Sequence, residues 1–377
     1  MVLANSSDLE TRLFRVREGL NKLELEALLV THIPNIFYLT GMRASAAAVL
    51  VEMERITLIT DSRYITVARS LADSGRSPEE ICIVQVLGSY DETIREEVLR
   101  RGLSRLGVES QNMTMKQALW YRQELEKSTT VVPTDGLVEE VRILKDAGEL
   151  QSLRHAGSLL ASVVPLALDF VRKGRTERGI AADIERLLVT VGFEGRAFET
   201  IVASGPRSAL PHARPGQRRL DNGDLVLLDF GGIYDGYCVD ITRTACVGAP
   251  GDKAKRLHEA VLEAQAAAID VVKPGIFASD VDTAARHVLK ERGLADEFGH
   301  STGHGLGIEL HEAPWVAPVN HLKNGAVDVM LMAGMVFTVE PGVYVSGFGG
   351  VRIEDDVMVT LQGCDVLTEV SRRLAVG

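Results

Sequence analysis

Cysteine is scarce in this chain: 4 of 377 residues, at Cys82, Cys238, Cys246 and Cys364, with no Cys-x-x-Cys pair among them. That excludes a disulfide framework and a thiolate metal site. Long apolar runs are missing too, since no stretch approaches the ~18 uninterrupted apolar residues of a membrane-spanning helix. The N-terminal segment MVLANSSDLETRLFRVREGL lacks the apolar core of a signal peptide and is charged by position 8. There is no basic run either, and the net charge is −11. Nucleic acid and anionic membrane surfaces are therefore excluded as partners. What remains is the expectation of a reduced, soluble, cytoplasmic protein.

The composition is otherwise that of a globular chain, with 46% hydrophobic and 25% charged residues. At this length two domains are expected. Residues 1–140 alternate short β-rich runs with amphipathic helical stretches. The runs are EALLVTH (26–32), AAVLVEM (47–53), RITLIT (55–60), ICIVQV (81–86), RLGVES (105–110) and TTVVPT (129–134), and the helical stretches include DETIREEVLRRG and MTMKQALWYRQELEK. This reads as an α/β domain. The charged segment LVEEVRILKDAGELQ connects it to the rest, with Gly148 as the expected breaker in a region that is helical from 136 to 173.

Residues 141–377 contain an internal repeat. VRKGRTERGIAADIERLLVTVGF (171–193) recurs as VKPGIFASDVDTAARHVLKERGL (272–294), and Leu220, Gly223 and Asp229 recur, at one constant spacing, as Leu331, Gly334 and Glu340. Each half reads helix, helix, hairpin. Two such halves related by an approximate two-fold axis form an α+β domain with the hairpins side by side and helices outside.

The two hairpins carry the chemistry. LVLLDFGGIYDGYCVDITRTACV (225–247) holds Asp229 and Asp240, and MVFTVEPGVYVSGFGGVRIEDDVMV (335–359) holds Glu340 and Glu354. Carboxylates inside apolar, β-branched strands cost several kcal/mol to bury without a compensating positive charge. A turn centred on Tyr234-Asp235 places Asp229 directly opposite Asp240, and a turn at Ser346-Gly347-Phe348 places Glu340 opposite Glu354. Facing side chains lie ~4.5–5.5 Å apart at Cβ. Four acids so placed point to a cation, and to a pair of divalent ions in particular. His304, in the glycine- and histidine-rich FGHSTGHGLGIELHEAP, shows neither helical nor strand periodicity around it and supplies a nitrogen ligand. An N1O4 donor set suits manganese, cobalt or zinc. His300 and His311 flank it, His212 sits in the loop ALPHARPG, and Arg352 shares a strand face with Glu354, where it can orient a ligand carboxylate.

Five motifs in order, DFGG, VDITRT, GHGLG, EPG and RIED, resemble the signature of the pita-bread metallopeptidases, the family of methionine aminopeptidase, prolidase and Xaa-Pro aminopeptidase. The resemblance implies a creatinase-type N-terminal α/β domain and a pita-bread catalytic domain. It implies two divalent ions, manganese first and cobalt or zinc as alternatives. Asp229 would bind one ion, His304 and Glu340 the other, and Asp240 and Glu354 would bridge both. His212, His300 and His311 match the family's substrate-binding and proton-handling histidines, and Tyr344 and Arg352 its supporting residues. Glu340 would also shuttle the proton after a bridging hydroxide attacks the peptide bond. The phrase TDSRY (60–64) resembles the aminopeptidase P branch. The expected activity is thus cleavage of an N-terminal residue from proline in small peptides, by a homodimer. The alternatives are a prolidase-type dipeptidase and, further off, a catalytically silent binding module.

Overall fold

The computed structural model describes residues 6–79, 81–322 and 327–376, so the first five residues of the N-terminal segment lie outside the described residues. The chain divides into two compact units, Val2–Arg142 and Ile143–Gly377.

In the first unit all six β-rich runs form strands: β1 (Ala27–Val30), β2 (Ala48–Glu52), β3 (Ile56–Thr60), β4 (Ile81–Gln85), β5 (Arg105–Glu109) and β6 (Thr130–Thr134). They build one sheet in the order β4-β3-β2-β1-β5-β6. Neighbours β1–β2 and β2–β3 run antiparallel, and β3–β4, β1–β5 and β5–β6 run parallel. The helices are α1 (Ser6–Lys22), α2 (Ile33–Thr40), α3 (Ile65–Asp73), α4 (Tyr90–Arg101), α5 (Met115–Leu125) and α6 (Leu137–Arg142). Both amphipathic stretches are helices with local start signals. Ser89 caps α4 by accepting from Glu92 N, and Thr114 with Gln117 forms a capping box on α5. Val98 of α4 and Tyr121 and Leu125 of α5 close over Leu29, Leu50, Ile59 and Leu106 of the sheet.

The second unit opens on α7 (Ala147–Leu168). Gly148 lies inside this helix, so it is not the breaker. Asp146 is: its extended backbone and its capping box with Glu149 start the new helix. Next come α8 (Glu177–Val191), β7 (Gly195–Arg196), β8 (Ile201–Ser204) and the long hairpin β9 (Leu225–Tyr234) and β10 (Tyr237–Cys246). The second half repeats the plan with α9 (Asp252–Val271) and α10 (Ala278–Glu291), then β11 (Gly303–Gly305) and β12 (Glu312–Val316). Its hairpin is made of β13 (Val336–Val339), β14 (Gly342–Val345), β15 (Gly349–Arg352) and β16 (Asp355–Val359), followed by β17 (Cys364–Val366) and β18 (Ala375–Val376).

The repeat extends to individual hydrogen bonds. Gly174 N donates to Leu220 O at 2.8 Å, and Gly275 N to Leu331 O at 2.9 Å. Gly223 N donates to Val247 O at 2.7 Å, and Gly334 N to Val359 O at 2.9 Å. Each half has its own core. Val226, Leu228, Phe230, Val239 and Ile241 pack on Leu153, Leu160, Ile184 and Leu188 of α7 and α8. Phe337, Val339, Val351, Ile353 and Val357 pack on Leu257, Val261, Val281 and Leu289 of α9 and α10. Since side chains alternate along a strand, the intervening residues of both hairpins face away from the helices onto a shared inner face.

Candidate metal centre

That inner face collects Asp229, Asp240 and Thr242 from the first hairpin, and Thr338, Glu340, Tyr344, Arg352, Glu354 and Asp356 from the second. The first hairpin turns at Asp235-Gly236, with φ of 54° and 84°, so Tyr234 pairs with Tyr237 and Asp229 faces Thr242 rather than Asp240. Positive φ at both turn residues marks the tight two-residue hairpin, one step later in the chain than expected. The register therefore slips by two residues. Because a slip of two preserves side-chain direction, Asp240 stays on the face of Asp229 as a diagonal neighbour. The second hairpin has the expected register: Val339 pairs with Asp355 and Gly342 with Arg352, which sets Glu340 across from Glu354 in the gap between the two ladders.

The hairpins are tied to each other directly. Asp240 N donates to Asp356 Oδ2 at 2.9 Å, Glu354 N to Thr242 O at 3.1 Å, and Thr242 Oγ1 to Glu354 Oε2. Behind them Arg243 donates to Glu354 O and to the buried Asp355, which also accepts from Gln265 and Arg372.

His304 was expected on irregular backbone, but it lies in β11, held between β12 and β13. Its two flanking glycines allow this. A Cβ at position 303 would stand 1.9 Å from Thr338 O, and one at 305 would stand 2.1 Å from Ala313 O. The ring lies against Gly305 O, 3.0 Å from Nδ1, and that carbonyl can only accept, so Nδ1 carries the proton and the Nε2 lone pair is left to the inner face. Nε2 is 3.6 Å from Glu340 Oε1. Donor atoms of Asp240, His304 and Glu354 all lie within 4.8 Å of one another.

Arg352 is the cation among these acids. It donates to one oxygen of Asp229, to Thr242 Oγ1 at 3.2 Å and to Tyr344 Oη at 2.8 Å, and it passes 3.8 Å from Glu340 Oε2. Tyr344 Oη in turn meets His300 Nε2 at 2.9 Å, while Nδ1 of that ring faces Ser301 O at 2.7 Å. His300 is thus committed on both nitrogens. The His311 ring lies 4.1 Å from the His304 ring, tilted by 48°, and it and His212 are exposed. His212 stands near enough to His300 and His311 to oppose protonation of either.

Five carboxylates against one guanidinium is a strongly negative buried cluster. Burial, and then the mutual repulsion of Asp229, Asp240, Glu340 and Asp356, drive the Asp240 and Glu354 carboxyls well above their usual range. Burial pushes Glu340 up to about 7 and holds His304 down to about 3. Asp229 Oδ1, Asp240 Oδ1, Glu354 Oε1 and Asp356 Oδ1 are buried with no hydrogen-bond partner. Oxygens left bare in this way, beside a free imidazole lone pair, fit hard-to-borderline divalent cations. Sequence reasoning passed over Thr242 and Asp356. Thr242 had a usable signal, its place two residues after Asp240 on the same face. Asp356 was legible only as one more acid in a run.

Comparison with known proteins identifies the family. Residues 151–361 match the model of metallopeptidase family M24, and residues 12–144 match the creatinase/prolidase N-terminal domain. The chain is 35% identical to an Xaa-Pro dipeptidase of Pyrococcus horikoshii, covering 96% of this chain and 97% of that one. Among solved structures, an Xaa-Pro dipeptidase from Bacillus anthracis superposes with a TM-score of 0.91 at 35% identity, covering 98% of this chain and 100% of its own. An X-Pro aminopeptidase from Thermotoga maritima superposes with a TM-score of 0.84 at 33% identity, covering 95% of this chain and 99% of its own. The chain belongs to metallopeptidase family M24, with a creatinase-type N-terminal domain and a pita-bread C-terminal domain.

Proposed function

We propose that the chain is an Xaa-Pro dipeptidase, a prolidase that hydrolyses the bond between an N-terminal residue and a C-terminal proline. The observation that carries the hydrolytic chemistry is the set of bare carboxylate oxygens around His304 Nε2. The dipeptidase preference is supported by relatives that carry that name across nearly their full length. It displaces the aminopeptidase reading drawn from TDSRY, a segment of the other compact unit that says nothing about pocket length. The Thermotoga maritima structure keeps the aminopeptidase as the second reading.

In this proposal Asp229, Asp240, His304, Glu340 and Glu354 would hold two divalent ions, manganese foremost. Ions held there would supply Lewis acidity toward the scissile carbonyl and would acidify a water into the neutral range. The chain's own groups do the rest. Thr242 fixes Glu354 Oε2 and so points Oε1 inward, while Gly305 O fixes the His304 tautomer. Arg352 turns Asp229 and sets Tyr344, which His300 buttresses from behind. Glu340 takes a proton at its carboxylate and passes it to the departing proline nitrogen. His212 and His311, exposed at the rim, donate hydrogen bonds to the carbonyl oxygen as charge develops and to the substrate's carboxylate. The deciding experiment compares Gly-Pro with Gly-Pro-Gly on manganese-loaded protein. Faster turnover of the dipeptide supports the proposal. Preference for the tripeptide would restore the aminopeptidase, and failure on both would remove the Xaa-Pro reading.

A further inference from the structure

A single buried carboxylate outside the centre holds the loop that carries His212. Glu177, the first residue of α8, is fully buried. Its Oε1 accepts from Ser204 N at 2.9 Å and Ser204 Oγ at 2.7 Å, and its Oε2 accepts from Gly216 N at 2.9 Å. Arg207 Nε donates to both oxygens, at 3.3 and 3.2 Å, and its other arm donates to Arg214 O at 2.6 Å. The carboxylate therefore closes the segment 204–216 at both ends.

Between these ends the loop leans on the catalytic hairpin. Ser208 Oγ accepts from Gly350 N at 2.9 Å, and Pro211 O, next to His212, accepts from Arg352 at 3.4 Å. A Cβ at position 350 would lie 2.3 Å from Ser208 O, so glycine is required for this approach.

The internal repeat separates function from folding here. The backbone bond of Glu177 N to Arg218 O at 3.1 Å recurs in the second half as Ala278 N to Val329 O at 2.9 Å, and the bridge Thr176–Arg219 recurs as Phe277–Met330. The half-repeat thus forms the same helix start with an alanine where Glu177 stands. The carboxylate is additional to the fold, and in its own half it clamps the loop that carries His212.

We propose that Glu177 is a positioning residue for the hydrolysis, acting through the 204–216 loop to hold His212 over the metal centre. The inference rests on the role given above to His212. Removing the carboxylate's charge and one of its acceptors releases the Gly216 end of the loop while leaving the metal-binding side chains untouched.

The test is a double-mutant cycle on full-length, manganese-loaded protein with Gly-Pro, using Glu177→Gln, His212→Ala and the pair, alongside amide hydrogen exchange and metal content. Glu177→Gln should lower kcat/KM by about ten- to a hundredfold, the scale of a misplaced catalytic group. Metal content should hold, and exchange should rise across 204–216 only. In the His212→Ala background the same change should move kcat/KM by less than about twofold. Equal losses with and without His212, or unchanged exchange in the loop, would overturn the inference. A normal kcat in His212→Ala would overturn the role of His212, and this inference with it. If the wild type leaves Gly-Pro intact, the proposed function fails while loop exchange still decides the clamp. Should Glu177→Gln fail to fold, Arg207→Ala, at the solvent side of the clamp, must show the same pattern with a smaller loss.

Discussion

Arg352 and His304 show how individual side chains are set before any substrate arrives. The guanidinium of Arg352 reaches Asp229, Thr242 and Tyr344 at once, a fork that an ammonium cannot reproduce. Arg352→Lys should therefore lower kcat by about ten- to a hundredfold while metal content stays near normal. In metal-free protein, Arg352→Ala should cost about 3–5 kcal/mol in a denaturant titration, because it leaves Asp229 buried without its partner. An unchanged midpoint would mean that the acids repel one another less than their burial implies. The sequence shows the ligand-type residues plainly, because acids in apolar strands stand out. It hides Thr242, since a threonine in a strand is ordinary, and it hides the commitment of His300 to Tyr344, which only tertiary packing creates.

At the scale of elements, periodicity was the dependable guide. Six β-rich runs became six strands, and the parity of each hairpin was legible even where the register was not. The first register differs from the one the spacing predicts because Asp235, a non-glycine residue, takes φ 54° and moves the turn. The same limit applies to β11, a three-residue strand too short to show any period. Glycines here mark close approach as well as turns. A Cβ at Gly232 would meet the Phe193 ring at 2.4 Å, so Gly232→Ala should destabilise the fold by about 1–3 kcal/mol, measured by chemical denaturation. In α9, burial holds His258 down to about 4, against 6.5 for a free imidazole. The folded chain thus keeps His258 neutral where the unfolded chain takes up a proton. Its contribution to stability is complete above pH 6.5 and is lost progressively, by about 3 kcal/mol, as pH falls toward 4. His258→Gln should flatten the stability–pH curve in that window, and an unaltered slope would show that His258 takes up no extra proton on unfolding.

Across the whole molecule, two copies of one helix–helix–hairpin unit bring their inner faces together. The copies are not equivalent at the centre. Asp229 and Glu340 occupy matching places, but Glu354 matches Thr242, and Asp240 matches Arg352. One half supplies its second acid diagonally and the other supplies it directly across, and Thr242 and Arg352 fill the complementary places as supports. Divergence after duplication thus places the four carboxylates, Thr242 and Arg352 on one face without two like charges claiming the same spot. Sequence spacing revealed the duplication, whereas the swap of acids required the registers. Substrate preference and peptide length would be set by a pocket shaped by tertiary packing, which no spacing encodes.

The central claim is that this face exists to hold divalent cations, and metal content tests it most directly. Protein stripped by chelation and re-equilibrated with manganese should retain about two ions per chain after desalting, gain thermal stability, and regain Gly-Pro hydrolysis. Asp240→Asn and Glu354→Gln should each retain fewer than one ion and show no turnover. A folded wild-type chain that binds no divalent ion, or hydrolyses Gly-Pro equally well after stripping, would contradict the account.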